Sequence, residues 1–208
     1  MIVTVKNLTV SYGVRVLFDR LNFILQSGDF LHIRGANGSG KSTLCAVLAG
    51  LAPEACKVEG GAYYDGINIE YMTVAEKCGC CGIIFQNPEK YQFLHTVEDE
   101  FAFAMENLCV QRNGMERRIA GILSDLGIEH LLKRRINSLS GGEKQLTAIA
   151  SVLVMSPKML ICDEITAALD DNKRESVLRM LVSFANGGGI VVLVSHDDTA
   201  EANKIIQL

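Results

Sequence analysis

Apolar positions along the chain follow three different rhythms. Residues 30–33, 159–162 and 190–194 are almost wholly apolar. A strand covered on both faces needs apolar side chains on both, so it loses alternation and reads as a short continuous run. Each run ends beside a residue with chemistry on it: Gly35, Asp163 and His196. Ligands of open α/β sheets sit beyond the carboxyl ends of the strands. The pattern therefore predicts an α/β fold with a mainly parallel sheet core.

The first thirty residues differ. Residues 2–5, 8–10 and 21–25 alternate apolar with polar and are separated by Gly13 and Gly28. That rhythm predicts a small antiparallel β layer at the amino terminus. A helical rhythm takes over at residues 96–138. Thr96 and Asp99 read as a capping box, and Glu98, Asp99 and Glu100 suit the positive end of a helix. Val97, Phe101, Ala104, Met105 and Leu108 then recur at helical spacing, and a second helix is predicted over 115–126, stopping at Gly127. No linker, repeat or low-complexity stretch sets this region apart. The expectation is one domain over residues 1–208 with a helical subdomain inserted at about 96–138.

Composition narrows the class. Hydrophobic residues make up 49 % and charged residues 21 % of 208, enough for a sizeable core and too little charge for a disordered chain. A net charge of -4 and a pI of 5.6 count against a protein that coats nucleic acid. The opening residues read as a strand rather than a signal peptide, so the seven cysteines are expected to be free thiols in a reducing cytoplasm. Cys78, Cys80 and Cys81 cluster, but not at zinc spacing, and are read as residues leading into a buried strand. No apolar run reaches the roughly 18 residues of a membrane helix, so a membrane role must pass through a partner.

Three segments carry chemistry. Gly35, Ala36, Asn37, Gly38, Ser39, Gly40, Lys41, Ser42 and Thr43 satisfy the phosphate-loop pattern, between a predicted strand and a helix predicted over 43–49. The glycines permit positive φ and close backbone approach, so successive N–H groups point at phosphate oxygens. Lys41 adds a point charge and the Ser42 hydroxyl a ligand for Mg²⁺. Next, a core strand stops in Asp163 and Glu164. Two acids there need partners; Asp163 can hold Mg²⁺ through water and Glu164 can deprotonate an attacking water. The third segment is Ser140, Gly141, Gly142 and Glu143, read as a serine-capped helix start with bare backbone. It is a second anion-binding helix end, most economically explained if it faces the nucleotide of another subunit.

Taken in order, these residues resemble an ATP-binding cassette (ABC) ATPase over nearly the whole chain. The phosphate loop matches the Walker A motif, Ser140 to Glu143 the signature motif, and Asp163 and Glu164 the Walker B pair. Tyr12 matches the aromatic residue that stacks on adenine, although plain hairpin packing is an equal reading of it. Gln86 matches the Q-loop, Asp170 the D-loop and His196 the switch histidine. His32, His95 and His130 are given no role.

The resemblance implies that Lys41, Ser42, Gln86 and Asp163 hold Mg-ATP, that Ser140, Gly141 and Gly142 of a partner close over the γ-phosphate, and that Glu164 and His196 act on it. The implied partners are a second ABC ATPase subunit, identical or paralogous, and integral membrane transporter subunits, with no nucleic acid. The implied place is the cytoplasmic face of a membrane, peripherally bound. A finer likeness, at residues 85–93 and 96–100, is to the energy-coupling-factor (ECF) branch, whose ATPases serve vitamin and cobalt or nickel importers. Ile165, Ala167 and Leu146 depart from the family's usual proline, serine and arginine. The chain stops at Leu208, soon after His196, so a carboxyl-terminal extension is expected to be missing. The competing classes are a soluble ABC-fold machine acting on nucleic acid or ribosomes, and a nucleotide-binding regulator without turnover. Absence of heptads and duplication counts against the first; Glu164 and His196 count against the second.

Overall fold

The structure is a computed structural model that describes residues 1–88, 94–195 and 201–208. In chain order, β1 (Ile2–Tyr12) and β2 (Arg15–Gln26) precede β3 (Phe30–Arg34) and helix α1 (Lys41–Leu48). Then come β4 (Lys57–Tyr64), β5 (Ile67–Asn68), α2 (Val74–Cys80) and β6 (Cys81–Ile84). Helices α3 (Val97–Glu106), α4 (Arg112–Leu126) and α5 (Gly141–Leu153) follow. The remaining elements are β7 (Met159–Asp163), α6 (Asp171–Asn186), β8 (Ile190–Val194) and β9 (Lys204–Gln207).

Among the described residues the strands form two sheets. An antiparallel sheet runs β2-β1-β4-β5, and a five-stranded sheet runs β6-β7-β8-β3-β9 with every pairing parallel. The two amino-terminal runs expected as separate strands are one bulged strand. Val3, Val5, Leu8 and Val10 are all buried, although the step from 5 to 8 breaks the two-residue period. The register with β2 shifts between Val5 and Leu8, with Asn7 in the left-handed region at φ 46. The extra residue of a bulge returns the apolar set to the same face. Opposite the bulge, β4 carries Gly60 at φ 76, where a Cβ would lie 2.3 Å from the Asn7 carbonyl oxygen. That requirement for glycine is why β4 has weak strand patterning and was not foreseen.

The parallel strands confirm the reading of continuous apolar runs. Leu160, Cys162, Val191, Leu193 and Phe30 face the core under α3, α4, α5 and α6. Their neighbours Met159, Ile161, Ile190, Val192, Val194, Leu31 and Ile33 face the core shared with α1 and the antiparallel sheet. One sheet thus serves two cores, which places the carboxyl ends of β3, β7 and β8 side by side.

In the helical region, α3 begins at Thr96, whose hydroxyl accepts the Asp99 N–H at 3.2 Å. The capping box expected there is only half formed. The Asp99 carboxylate takes the Thr96 hydroxyl (2.6 Å) instead of the Thr96 N–H. Glu76, one methylene longer, completes the box with Thr73 at α2. Helix α4 starts at Arg112, ahead of the expected residue 115, and stops at Gly127 (φ 67) as expected. Cys78 and Cys80 lie on α2 and Cys81 opens β6, where burial pushes its thiol up to about 12. Among the described residues, no group of three or more His, Cys, Asp or Glu could hold a metal. None of the described helices is long and apolar enough to cross a membrane.

Candidate functional site

The site grows from the end of β3. After Arg34 the chain wraps into a loop that enters α1 through Gly40, at φ 102. A side chain is strained in that conformation, so glycine is required, and with it α1 begins without a side-chain cap. Its first turn holds no acid, leaving amide groups and helix dipole to an anion. Lys41 is buried, and its Nζ donates to the carbonyls of Gly35 (2.8 Å) and Ala36 (3.0 Å) at the base of the loop. The Ser39 hydroxyl oxygen is buried without a hydrogen-bond partner. An orphaned polar atom of this kind belongs where a polar ligand completes the site.

The acids arrive from β7. Asp163 is buried, and burial raises its carboxyl above the usual carboxylate range; a hydrogen bond with Ser42 and the nearby Lys41 charge pull the other way. Glu164 sits in the left-handed region at φ 52, an arrangement that costs a side-chain-bearing residue on the order of 1–3 kcal/mol. Its N–H donates to the Val194 carbonyl at 3.0 Å, tying the end of β7 to the end of β8. Its carboxylate accepts Gln86 Nε2 at 2.9 Å. Held strain of this kind is typical of functional positions.

These residues meet in a cleft of about 570 Å³ lined by Tyr12, Asn37, Gly38, Gly40, Lys41, Ser42, Thr43, Gln86 and Glu164. Asp163 does not line the cleft but is hydrogen-bonded to Ser42, which does. Arg15 and Leu17, missed in the sequence, also line it. Their signal was the hairpin: Tyr12 pairs with Arg15 across the turn at Gly13. Ser140, Gly141, Gly142 and Glu143 are not among the lining residues. They open α5, where Gly142 lies against Ala168 and Leu169, just before Asp170, which caps α6 through the Lys173 N–H at 3.0 Å. The signature and D-loop segments therefore form a second surface. His196 lies outside the described residues, as do residues 89–93 of the segment likened to the ECF branch. Its neighbour Ser195 is buried against His32, with Oγ 3.0 Å from Nε2. Arg34 Nε donates to His32 Nδ1 at 3.1 Å, so a neutral ring carries its proton on Nε2. His32 is thus a structural residue linking β3 to β8. A second crevice of about 570 Å³, among α4, α5 and α6, has a wall of mixed polar and apolar side chains and none of the phosphate-loop residues.

A phosphate loop beyond an inner parallel strand, with two acids at the end of a second strand one strand removed in the same sheet, defines a P-loop nucleotide-binding protein. Comparison with known proteins is more specific. The profile of the ABC transporter family matches residues 18–167. An ABC transporter ATP-binding protein of Pyrococcus abyssi is 41% identical over 201 residues, covering 94% of this chain and 72% of the relative. The energy-coupling factor transporter ATP-binding protein EcfA1 of Mycoplasma genitalium is 35% identical over 204 residues, covering 96% and 73%. Among solved structures, cbiO1 of Clostridium perfringens, part of the ABC transporter complex cbiONQ, superposes with a TM-score of 0.84 at 30% identity, covering 99% of this chain and 83% of that one. The dimeric cassette MJ0796 bound to ADP and Pi gives 0.86 at 26% identity, covering 99% and 94%. The chain belongs to the ABC transporter family. It is an ATP-binding, ATP-hydrolysing cassette of that family.

Proposed function

We propose that this chain energises an ECF-type importer from the cytoplasmic face of a membrane, as one of two cassettes that clasp ATP between them. The observation that carries the reading is the single cleft in which Tyr12, the phosphate loop, Gln86 and Glu164 meet, with Gln86 bonded to Glu164 at 2.9 Å. The finer assignment to an importer is supported by the likeness to EcfA1 and to cbiO1. Pairing of cassettes is supported by the dimeric MJ0796 relative.

Phosphoryl transfer asks a protein for positioning and for charge along the phosphates. In this reading Tyr12 stacks on the base, while Gly35, Ala36, Asn37, Gly38, Ser39, Gly40 and Thr43 wrap the phosphates. Lys41 neutralises the last two. Oxygen donors suit Mg²⁺, and Ser42, Gln86 and Asp163 would hold it; the ion supplies charge neutralisation at the phosphates. Glu164 takes the proton of the attacking water, and its bond to Gln86 keeps the carboxylate aimed into the cleft. His196 steadies the γ-phosphate. Ser140, Gly141, Gly142 and Glu143 of the partner close the site from the other side, next to the segment that leads into Asp170. Loss of the γ-phosphate removes what both faces grip, so the pair opens. Gln86, at the head of the segment facing the membrane subunits, passes the motion on.

The test is a detergent pull-down with the chain as bait. The expected result is co-purification of integral membrane subunits and of a second cassette. Recovery without any membrane protein, together with ATPase stimulated by nucleic acid, would overturn the transport reading in favour of a soluble machine.

A further inference from the structure

Among the described residues, two cations line the nucleotide cleft, and only one of them belongs to the phosphate loop. Lys41 is held at the base of the loop on the Gly35 and Ala36 carbonyls. Arg15 comes from β2, outside any motif the sequence offered, and donates from its guanidinium to the Gly38 carbonyl at 2.9 Å, at the tip of the loop. It is the cross-strand partner of Tyr12, so the two side chains stand together at the same end of the cleft. Glu164 lines the same cleft, next to Gln86. An aromatic ring and a guanidinium at the loop tip thus share one cleft with an ammonium at the loop base and an acid.

We propose that Arg15 is a nucleotide-binding residue that contacts the first phosphate of the bound nucleotide while steadying the tip of the phosphate loop through Gly38. The inference rests on the nucleotide reading of the cleft. A nucleotide with its base on Tyr12 and its last phosphate toward Glu164 passes Arg15 before it reaches Lys41. Guanidinium has five N–H donors in a planar fork, so the donor given to Gly38 leaves others for a phosphate oxygen. Lysine reproduces the charge but not the fork. Arg15 is exposed, so its contribution is moderated by water and salt.

The assignment separates Arg15 from Lys41 by which nucleotides feel the loss. Affinities of ATP, ADP, AMP and adenosine are measured by calorimetry for the wild-type chain, Arg15→Ala and Arg15→Lys. Arg15→Ala is expected to weaken ATP, ADP and AMP by the same factor, about 3- to 10-fold, and to leave adenosine unchanged. Arg15→Lys recovers part of the loss, and added salt narrows the gap. A hairpin merely loosened around Tyr12 would weaken adenosine as well, and that outcome overturns the proposal. So does a loss confined to ATP, or no loss at all. If the wild-type chain binds none of the four, the nucleotide reading itself fails and takes this inference with it.

Discussion

In the proposed reading two helices offer their amino termini to phosphate, and they are built in opposite ways. Helix α1 enters through a left-handed glycine, has no side-chain cap and carries no acid in its first turn. Helix α5 enters through Ser140, which forms a complete capping box with Glu143: Glu143 N–H to Ser140 Oγ at 3.3 Å, and Ser140 N–H to Glu143 Oε2 at 2.7 Å. One end is left for a ligand to complete; the other is complete in itself. The capping serine accepts the Glu143 N–H through a lone pair, and its own hydroxyl faces the Glu143 carboxylate, so the helix start is satisfied within itself. Helix α5 can therefore fold and stand ready as a preformed surface before any nucleotide arrives, while α1 gains most from the nucleotide.

The contrast can be broken from either side. The largest effect is expected at the acid beside α1. Glu164→Gln should bind ATP and hydrolyse it at least about a hundredfold more slowly, as when a general base is lost; steady-state turnover near the wild-type rate would reject Glu164 as the base. Lys41→Ala should weaken ATP by about 10- to 100-fold, the span of a hydrogen bond to a charged group, and calorimetry showing unchanged affinity would contradict the role given to the loop. At α5 the prediction inverts. Ser140→Ala should leave ATP affinity of the isolated chain intact but cost about 1 kcal/mol of stability, or roughly 2–4 °C in the thermal midpoint of a domain this size. An unmoved midpoint would mean that the box is not holding the helix.

The smallest effect is a pH dependence of that same box. The Ser140 N–H and hydroxyl hold the Glu143 carboxyl below its ordinary value. The folded state then binds this proton less readily than the unfolded one. The contribution is present above the unfolded value of about 4.3 and is lost as pH falls through the folded value. The midpoint difference between wild type and Glu143→Gln should therefore be present at neutral pH and shrink in acid below about pH 4. A gap that widens on acidification would reverse the assignment.

Much of this was legible in sequence because it rests on local chemistry. The runs at 159–162 and 190–194 appear as strands with nearly the expected bounds, since a strand buried on both faces has no other pattern available. The phosphate loop sits in its expected strand-to-helix context, and Gln86 meets Glu164 as members of one site. What was missed depends on long-range pairing. Strand β4 is held by its fit to a bulge more than fifty residues earlier, and its glycines hide the alternation. Strand β9 is recognisable only from its pairing with β3. Arg15 is invisible as a site residue until the hairpin lays it over the loop. The half-formed box at Thr96 failed on side-chain length, a detail that pattern matching treats as equivalent.

The bond from the Glu164 amide to the Val194 carbonyl is made of main-chain atoms on both sides. No side-chain exchange short of proline at position 164 deletes it. Variants that neutralise the acid alter the chemistry yet leave the mechanical linkage between the two strand ends intact, so catalysis and motion can be dissected separately, and the deuterium uptake of that one amide becomes a gauge of whether the linkage holds during turnover.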